Sequence, residues 1–363
     1  MPMKKVLTVL PEMDVGGGQK MAVEIAAHVK DEQIQVRVLS LYPCRHTVID
    51  ELASRHEVNV QYLSKKKGID LRVICQLYRA IKEFKPDVIH AHLRVMPYLL
   101  LPMLLNGTPL RYYTVHSLAD KENRHAMVRH VLAFSFRHCK VKPVAISEVC
   151  RKSISQVYHL PQESIPCIYN GIDIQRFART SPYSGGDQGM VDFIAVGRLS
   201  PEKNYALMLA AFHRAHQKQA NIRLIVLGDG GLRRELEDRC KSLALEGCVN
   251  LRGVTDDVED HLHRAQVFLM SSDYEGLPVS VLEAMAAGLP IISTKAGGVV
   301  DVVENRGNGL LVDVGDEDGL AAAIERLARD PQLRAAFSQR SLQLAQKYSI
   351  EACAEGYLKL YMA

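Results

Sequence analysis

The chain has 363 residues, 47% of them hydrophobic, and a formal net charge of +4. This length exceeds what one hydrophobic core usually supports, so two domains of similar size are expected. Residues 1–172 contain 24 Lys and Arg against 15 Asp and Glu, whereas the remainder contains 21 against 26. The basic first half is compatible with a phosphorylated substrate or an anionic membrane surface. Nucleic acid is the least favoured partner, because no basic motif is interleaved with aromatic residues and Trp is absent.

Cysteine usage and the length of the apolar runs indicate the cellular compartment of the protein. Eight cysteines are scattered without a Cys-x-x-Cys pair, which argues against a zinc site or a disulfide framework and predicts a cytoplasmic protein. The short run Val6 to Leu10 lacks the features of a signal peptide and is expected to be a first strand. The richest apolar window, Val95 to Leu105, is shorter than the about 20 residues that span a bilayer.

Strands alternate with helices through the first half, which predicts a parallel sheet. The predicted strands are 4–10, 36–41, 58–63, 88–92, 111–115 and 144–146, and the predicted helices are 19–29, 47–56, 69–84, 95–105, 121–138 and 148–158. Gly16-Gly17-Gly18 precedes the first helix but satisfies neither Gly-x-Gly-x-x-Gly nor a P-loop. These glycines are expected to let the backbone approach a ligand at the carboxyl edge of the sheet, with a plain tight turn as the alternative.

Histidines mark the ends of two of these strands. His116 follows 111–115, which puts its imidazole at the carboxyl edge of the sheet, either as a site residue or as a cap of the next helix. His90 and His92 have a spacing that suits a metal, but no Cys, Asp or third His is near in sequence, so a structural role is favoured. Ser147 is predicted to cap the helix that follows it.

A change of composition separates the two halves. Residues 165–172 are expected to form a closing strand, and 181–189 are polar and rich in Gly, as in a linker. We therefore predict a first domain at 1–172, a linker at 173–190, a second domain at 191–347 and a terminal helix within 348–363.

The second half repeats the alternation of strands and helices. Its predicted strands are 192–196, 222–227, 249–251, 267–270, 291–294 and 309–312, and its predicted helices are 232–245, 317–330, 332–347 and 350–362. Gly197-Arg198-Leu199-Ser200-Pro201-Glu202-Lys203-Asn204 follows the first of these strands. Arg198 and Lys203 flank a short turn, so both cations are predicted to converge on one diphosphate.

The most informative stretch is Ser271 to Pro290. It leads from the buried strand 267–270 through Glu275-Gly276-Leu277 into a helix predicted to have Pro278 at its first position. The free N–H groups and positive dipole end of that helix would favour a diphosphate above the loop. Glu283 lies among apolar or small residues on the helix, so its carboxylate needs a partner such as sugar hydroxyls.

Glu275 and Glu283 are separated by seven residues, ahead of Ala-Met-Ala-Ala-Gly-Leu-Pro. This Glu-x7-Glu pattern, together with Gly197 to Asn204, resembles the retaining glycosyltransferases of family 4. The resemblance implies the α/β GT-B fold, in which two doubly wound Rossmann-like domains face each other across a cleft and a C-terminal helix crosses back to the first domain.

The resemblance also implies roles for individual residues. Catalytic roles fall on His116, Arg198, Lys203 and Glu275, and donor-binding roles on Gly17, Gly18, Gly197, Gly228, Gly230, Val254, Gly276, Leu277, Pro278 and Glu283. Glu275 would hold sugar hydroxyls, Glu283 the ribose, and Val254 would lie near the base. No metal or other cofactor is expected, since neither Asp256-Asp257 nor Asp273-x-Glu275 makes a convincing divalent site.

The implied reaction moves a sugar from a nucleotide diphosphate sugar, expected to be UDP-linked, to a glycan or lipid-linked acceptor in polysaccharide or glycolipid biosynthesis. Alternatives are a sugar-nucleotide epimerase of the same fold and a donor-binding subunit without activity. A glycosidase with paired carboxylates is disfavoured, because it would not require the cations.

Residues 121–142 suggest a peripheral membrane contact. Six cations and six large apolar residues lie there at helical spacing, as in interfacial helices, and Lys65-Lys66-Lys67 adds a second basic segment. The alternative is an ordinary amphipathic helix that packs on its own sheet.

Overall fold

The structure, a computed structural model, describes residues 3–14, 16–30, 33–122, 125–178 and 189–363. Contacts divide the chain into two compact units. Unit 1 consists of Met1–Gly171 with Ile350–Ala363, and unit 2 consists of Ile172–Ser349.

Unit 1 contains a six-stranded sheet in the order β3-β2-β1-β4-β5-β6, with every neighbouring pair parallel. Its strands are β1 (Lys4–Leu10), β2 (Ile34–Ser40), β3 (Val60–Tyr62), β4 (Val88–His92), β5 (Leu110–Val115) and β6 (Val141–Ala145). Its helices are α1 (Gly17–His28), α2 (Val48–Arg55), α3 (Arg72–Phe84), α4 (Met96–Leu105), α5 (Ala119–Glu122), α6 (Ala126–His138) and α7 (Glu148–Tyr158). Strand β4 is buried along its whole length, as a central parallel strand covered on both faces must be.

Unit 2 contains a second parallel sheet in the order β12-β11-β10-β7-β8-β9. Its strands are β7 (Val191–Val196), β8 (Ile222–Leu227), β9 (Val249–Gly253), β10 (Val267–Met270), β11 (Ile291–Thr294) and β12 (Gly309–Val312). Its helices are α8 (Ile174–Phe177), α9 (Tyr205–Lys218), α10 (Arg233–Ser242), α11 (Val258–Arg264), α12 (Val279–Ala286), α13 (Val299–Val302), α14 (Glu317–Arg329) and α15 (Pro331–Ala345). Both units therefore have the strand order of a doubly wound Rossmann fold, as predicted.

The last helix, α16 (Ile350–Met362), belongs to unit 1 although it follows unit 2 in the chain. Tyr357 and Tyr361 of α16 are fully buried against the unit 1 sheet, where the Tyr112 hydroxyl donates to the Leu360 carbonyl over 2.6 Å. This agrees with the expected return of the terminal helix to the first domain.

Two predicted elements are wrong. Residues 165–172 form no strand, but make two isolated bridges, one between Cys167 and Ala145 and one between Ile172 and Ser349. Pro166 lacks an N–H donor and supplies only its carbonyl to the Ala145 N–H, so the pairing does not extend. The helix predicted at 121–138 is interrupted, because His125 has an extended backbone and caps α6; residues 123–124 lie outside the described part of the chain.

Several element boundaries differ from the prediction, two of them at the predicted site. Gly17 and Gly18 belong to the first turn of α1, and Gly16 is its N-cap. Pro278 is the N-cap of α12 with an extended backbone, and Val279 is the first helical residue. Helix α3 begins at Arg72, three residues later than predicted, while Ser147 caps α7 as expected through its bond from the Cys150 N–H.

The predicted linker falls mostly outside the described residues, since 179–188 are not among them. Of the preceding residues, Ile174–Phe177 form α8, where the Arg176 guanidinium pairs with Glu259 at 3.1 Å inside unit 2. Within the described chain, no helix combines the length and apolar composition that crossing a bilayer requires.

Candidate active site

The unit 2 site forms where the strand order reverses. Strands β7 and β10 are neighbours in the sheet, although β8 and β9 separate them in sequence. In doubly wound sheets, ligands bind in the crevice outside the carboxyl ends of such a strand pair. The loop after β7 is 197–204 and the loop after β10 is 271–278, so both sequence motifs meet at this point.

Lys203 and Glu275 connect the two loops directly. The Lys203 ammonium lies 2.7 Å from Glu275 Oε1, and the Ser272 hydroxyl donates to the same oxygen over 2.7 Å. The side chains of Lys203 and Glu275 are only 19% and 12% exposed. Such a partly buried pair is screened less by water than a surface pair, which makes it sensitive to an anion placed beside it.

Further hydrogen bonds fix the loops against each other. The Ser271 hydroxyl donates to the Lys203 and Asn204 carbonyls at 3.0 and 2.9 Å. The Asn204 side-chain amide donates to Asp273 Oδ1 over 2.8 Å, and the Asp273 N–H donates to the Glu202 carbonyl over 2.9 Å. Lys203 and Glu275 are therefore held by a rigid frame and need little reorganisation on binding.

Glycines allow two backbone segments to meet here. Gly228 has φ +128°, and a Cβ on it would lie 2.0 Å from the Gly197 carbonyl oxygen. A Cβ on Gly230 would lie 2.4 Å from the Leu199 carbonyl oxygen. Only glycine fits such contacts, so the turn after β8 packs directly on the loop after β7.

Helix α12 begins beside this pair. Pro278 caps it, and the buried Gly276 and Leu277 lead into it, with the Gly276 carbonyl accepting from the Gly298 N–H at 2.9 Å. The N–H groups of its first turn are the donors that a helix start offers to anions. Glu283 is buried on this helix, eight residues after Glu275, which lies in the preceding loop.

The remaining predicted donor residues of unit 2 are more exposed. Arg198 directly follows Gly197 and has an exposed side chain, whereas the ion pair of the site is formed by Lys203. Val254 follows β9 and is 62% exposed. Gly253 before it has φ +89°, which turns the chain at the end of the strand.

In unit 1 the start of α1 lies against His116. A Cβ on Gly18 would lie 3.2 Å from His116 Cγ and 3.0 Å from Leu93 Cδ2. His116 follows β5, Leu93 follows β4, and Gly17 and Gly18 follow β1. Since β1 and β4 are neighbours at the reversal of the unit 1 strand order, these residues gather at its switch point.

Three histidines are linked behind this edge. His92 Nδ1 lies 2.9 Å from His116 Nε2, and His90 bonds the Tyr361 hydroxyl at 2.5 Å and the Thr114 hydroxyl at 2.7 Å. Burial lowers the pKa of His116 to about 4 and that of His90 to about 3, and it holds the pKa of His92 well below its usual value. All three imidazoles are therefore neutral at pH 7.

The His92–His116 bond has a preferred direction. His92 Nε2 is buried and has no hydrogen-bond partner in the described chain. A buried N–H without an acceptor costs more than a buried lone pair without a donor, so His92 carries its proton on Nδ1 and donates to His116 Nε2. His116 consequently carries its own proton on Nδ1.

Glu122 supports the loop that carries His116. Its carboxylate accepts from the Tyr113 hydroxyl at 2.8 Å and from the Ser117 N–H at 3.1 Å. Burial raises the pKa of Glu122 to about 7, although these hydrogen bonds act in the opposite direction.

Sequence reasoning did not identify His92, Ser272 or Glu122 as site residues. The sequence places His92 and His116 24 residues apart, and only the pairing of β4 with β5 brings them together. Ser272 had a usable signal, since it is polar and lies two residues after the end of a buried strand. In the described residues no group of three or more His, Cys, Asp or Glu side chains is arranged to hold a metal ion.

Comparisons with known proteins agree with this geometry. A family model described as Glycosyltransferase Family 4 matches residues 15–176, and one described as Glycosyl transferases group 1 matches residues 184–343. The chain is 27% identical over 282 residues to the UDP-Gal:alpha-D-GlcNAc-diphosphoundecaprenol alpha-1,3-galactosyltransferase of Escherichia coli, covering 73% of this chain and 72% of that protein. It is 34% identical over 168 residues to the lipopolysaccharide core biosynthesis glycosyltransferase LpsE of Rhizobium meliloti, covering 46% and 48%.

Among solved structures, Anabaena HepE in complex with UDP and glucose matches with a TM-score of 0.86 at 21% identity over 98% of both chains. At this identity the likeness concerns the fold. With a family 4 model on its first half, a group 1 model on its second and two named glycosyltransferase relatives, the chain is a glycosyltransferase with the GT-B fold.

Proposed function

We propose that this glycosyltransferase moves a sugar from a UDP-sugar to a glycan or lipid-linked acceptor with retention of anomeric configuration, in cell-surface polysaccharide or glycolipid synthesis. The observation that carries the proposal is the Lys203–Glu275 pair of 2.7 Å beside the start of α12. Related proteins support the donor class, since the E. coli relative is named for UDP-Gal and the HepE structure contains UDP and glucose.

The chemistry follows from where charge develops. Breaking the bond between the anomeric carbon and the β-phosphate leaves positive charge on the sugar and negative charge on the diphosphate. An ammonium has three N–H donors, so Lys203 can serve phosphate oxygens while it bonds Glu275. Together with Arg198 and the N–H groups at the start of α12, it stabilises the leaving group.

Glu275 serves the sugar in this proposal, because its Oε2 remains an acceptor for a hydroxyl while Oε1 is bonded to Lys203 and Ser272. Glu283 serves the ribose. The acceptor hydroxyl enters on the leaving-group face, forms the new bond to the anomeric carbon and gives its proton to the departing phosphate. This step retains configuration and needs neither a protein nucleophile nor a metal ion.

Calorimetry with UDP tests the assignment. Lys203→Ala should weaken UDP affinity, because removing a desolvated charge contact costs about 2–5 kcal/mol, and Arg198→Ala should act in the same direction. Lys218→Ala is the matched control, since Lys218 pairs with Glu325 between α9 and α14. Unchanged UDP affinity in both site variants contradicts the proposal.

Further measurements test the finer parts of the proposal. Glu275→Gln should impair transfer more than UDP binding, whereas Glu283→Gln should impair both. The anomeric configuration of the product, read by NMR, tests retention, and activity that survives a chelator supports metal independence. Conversion of the donor into its epimer, without transfer to an acceptor, would favour the epimerase alternative.

We also propose that unit 1 contacts an anionic membrane surface through α6. Val128, Leu132 and Phe136 are buried in unit 1, so this stripe of the predicted apolar face packs as in an ordinary amphipathic helix. Met127 and Phe134 are 65% and 53% exposed, however, and exposed Leu101 and Leu105 lie on the neighbouring α4. The membrane face is therefore a small apolar patch on α4 and α6.

A further inference from the structure

An open cavity lies in unit 1, on the side of the sheet away from His116. It has a volume of about 500 Å³ and is lined by Glu12, Tyr42, Pro43, Arg45, Lys65 and Lys67. Glu12 follows β1, Tyr42 to Arg45 follow β2, and Lys65 and Lys67 follow β3. The cavity thus lies at the carboxyl edge of the sheet on the β1-β2-β3 side, whereas His92 and His116 lie on the β4-β5 side.

Lys65 is a buried cation at this cavity. It is 7% exposed, and its ammonium donates to the Gly68 carbonyl at 2.6 Å, the Tyr42 hydroxyl at 2.9 Å and the Lys66 carbonyl at 3.1 Å. The ammonium also lies 4.6 Å from the ring centre of Tyr42 and 5.1 Å from that of Tyr98. These groups satisfy its N–H donors and stabilise the cation, but all of them are formally neutral.

The charges around the cavity leave an excess of positive charge. Arg45 pairs with Glu12 at a distance of 3.7 Å, and the Arg45 side chain is 49% exposed. The cavity lining therefore has three cations, Arg45, Lys65 and Lys67, against the single carboxylate of Glu12. The nearby Asp70 is bound by the Arg72 guanidinium at 2.9 Å and by the Lys66 N–H at 3.0 Å. A buried charge without a counter-charge is unfavourable, so the cavity favours an anion with two negative charges.

Exposed apolar residues directly follow the cationic segment. Ile69 and Leu71 are 84% and 67% exposed, although Asp70 between them is buried. A loop with cations facing a cavity and apolar side chains beside it suits an amphiphilic ligand better than free phosphate.

We propose that this cavity binds the diphosphate of a lipid-linked acceptor. A diphosphate diester carries two negative charges, which matches the excess of the lining, and its lipid chain would lie toward Ile69 and Leu71. The proposal rests on the proposed function, because only transfer to a lipid-linked acceptor supplies such a diphosphate. Parallel strands are about 4.8 Å apart, so the cavity and the β1–β4 crevice are separated by only a few such spacings, a distance that one acceptor can bridge.

The test is calorimetric binding of N-acetylglucosamine linked through diphosphate to citronellol. Arg45→Gln with Lys67→Gln should weaken this binding by about tenfold or more, since each removes a charged hydrogen bond to the diphosphate. Lys65→Met should act in the same direction, and the two exposed positions keep the test decisive if that buried change prevents folding. Lys82→Gln, an exposed cation on α3, is the matched control and should change affinity less than twofold.

Three further ligands separate the possible sources of the anion. Neutral octyl N-acetylglucosaminide should bind the double variant and the wild type equally. Equal affinity of the diphosphate probe for the wild type and the double variant overturns the proposal. The proposal is also overturned if the double variant loses affinity for phosphatidylglycerol vesicles to the same extent as for the diphosphate probe. It is overturned as well if inorganic pyrophosphate binds the wild type as tightly as the probe does.

UDP titration of the same variants distinguishes this proposal from the proposed function. Their UDP affinity should equal that of the wild type, because the donor residues lie in unit 2. Absence of UDP binding in the wild type would count against the donor assignment, whereas intact UDP binding with an unaffected diphosphate probe would count against the cavity alone.

Discussion

At the scale of single residues, Gly228 decides how closely two site loops approach. Its positive φ and its contact with the Gly197 carbonyl leave no room for a side chain. The loop that carries Lys203 can therefore approach β8 only because residue 228 has no Cβ.

Gly228→Ala should destabilise unit 2 by roughly 3 kcal/mol, because it combines a strained backbone with a backbone clash. Scanning calorimetry measures the loss. Gly231→Ala is the control in the same turn, since a Cβ there meets nothing within 4 Å. Equal stability of the two variants would contradict this account of the turn.

The histidine cluster predicts a pH dependence. The unfolded chain protonates His90, His92 and His116 near pH 6.5, but the native state leaves them neutral until far lower pH, so unit 1 loses stability as pH falls below about 6.5. Glu122 acts oppositely, because its pKa of about 7 lets the native state hold a proton that the unfolded chain releases above about 4.3. The stability lost through the three imidazoles as pH falls exceeds the stability gained through the one carboxyl.

Hydrogen exchange of the β4 and β5 amides between pH 7 and 5, corrected for intrinsic rates, measures this effect. His116→Gln should make the loss of protection smaller, because unfolding of this variant takes up about one proton fewer than unfolding of the wild type. His130→Gln, an exposed histidine on α6, is the control and should leave the pH dependence unchanged. A dependence that is identical in His116→Gln and the wild type would show that His116 does not contribute.

At the scale of elements, α16 completes the core of unit 1. The Tyr361 hydroxyl bonds His90 Nδ1, the Tyr357 hydroxyl lies 3.1 Å from the Thr114 hydroxyl, and the Tyr361 carbonyl accepts from Lys4 at 2.6 Å. Helix α16 thereby supplies the hydrogen-bond partner of the buried His90.

Tyr361→Phe keeps the ring but removes the partner of His90 Nδ1. We expect a loss of roughly 1–3 kcal/mol in the free energy of unfolding of unit 1, the cost of leaving a buried polar atom unsatisfied. Denaturant titration followed by circular dichroism measures it. Lys359→Gln, on the exposed side of α16, should change stability by less than about 0.5 kcal/mol; a comparable loss in both variants would rule out the hydrogen bond as the cause.

At the scale of the whole molecule, charge and apolar surface predict membrane binding. The excess of cations in residues 1–172 and the exposed apolar residues of α4 and α6 belong to the same unit. Each cation near an anionic surface contributes about 1 kcal/mol, and the apolar residues add area that is removed from water.

Sedimentation with vesicles should show binding that rises with the fraction of phosphatidylglycerol and falls with salt. Met127→Ser with Phe134→Ser should weaken it, whereas Val300→Ser, which changes an exposed valine of unit 2, should not. No binding at any lipid composition would leave an acceptor in solution as the better interpretation.

From the sequence alone it was possible to predict the alternation of strands and helices and the two loop motifs that contain Lys203 and Glu275. Buried parallel strands are nearly continuous apolar runs, so β1, β4, β8, β10, β11 and β12 were predicted with the ends that the structure has. Lys203 and Glu275 lie in the loops that follow two buried strands, and such loops lie at one edge of a parallel sheet whatever the strand order. The irregular backbone at 162–168 and at His125 was not predicted. The conformations of Pro166 and of the start of α6 depend on residues that are neighbours in space and not in sequence.

Which strand ends are neighbours became known from the strand order of the folded chain. The order β3-β2-β1-β4-β5-β6 joins His92 to His116 and separates both from the cavity at Lys65, and the return of α16 supplies Tyr361 to His90 from 271 residues away. The physical reason is that a polar side chain finds its partner across strands and helices that are distant in the chain. Local sequence contains the partners but not their pairing.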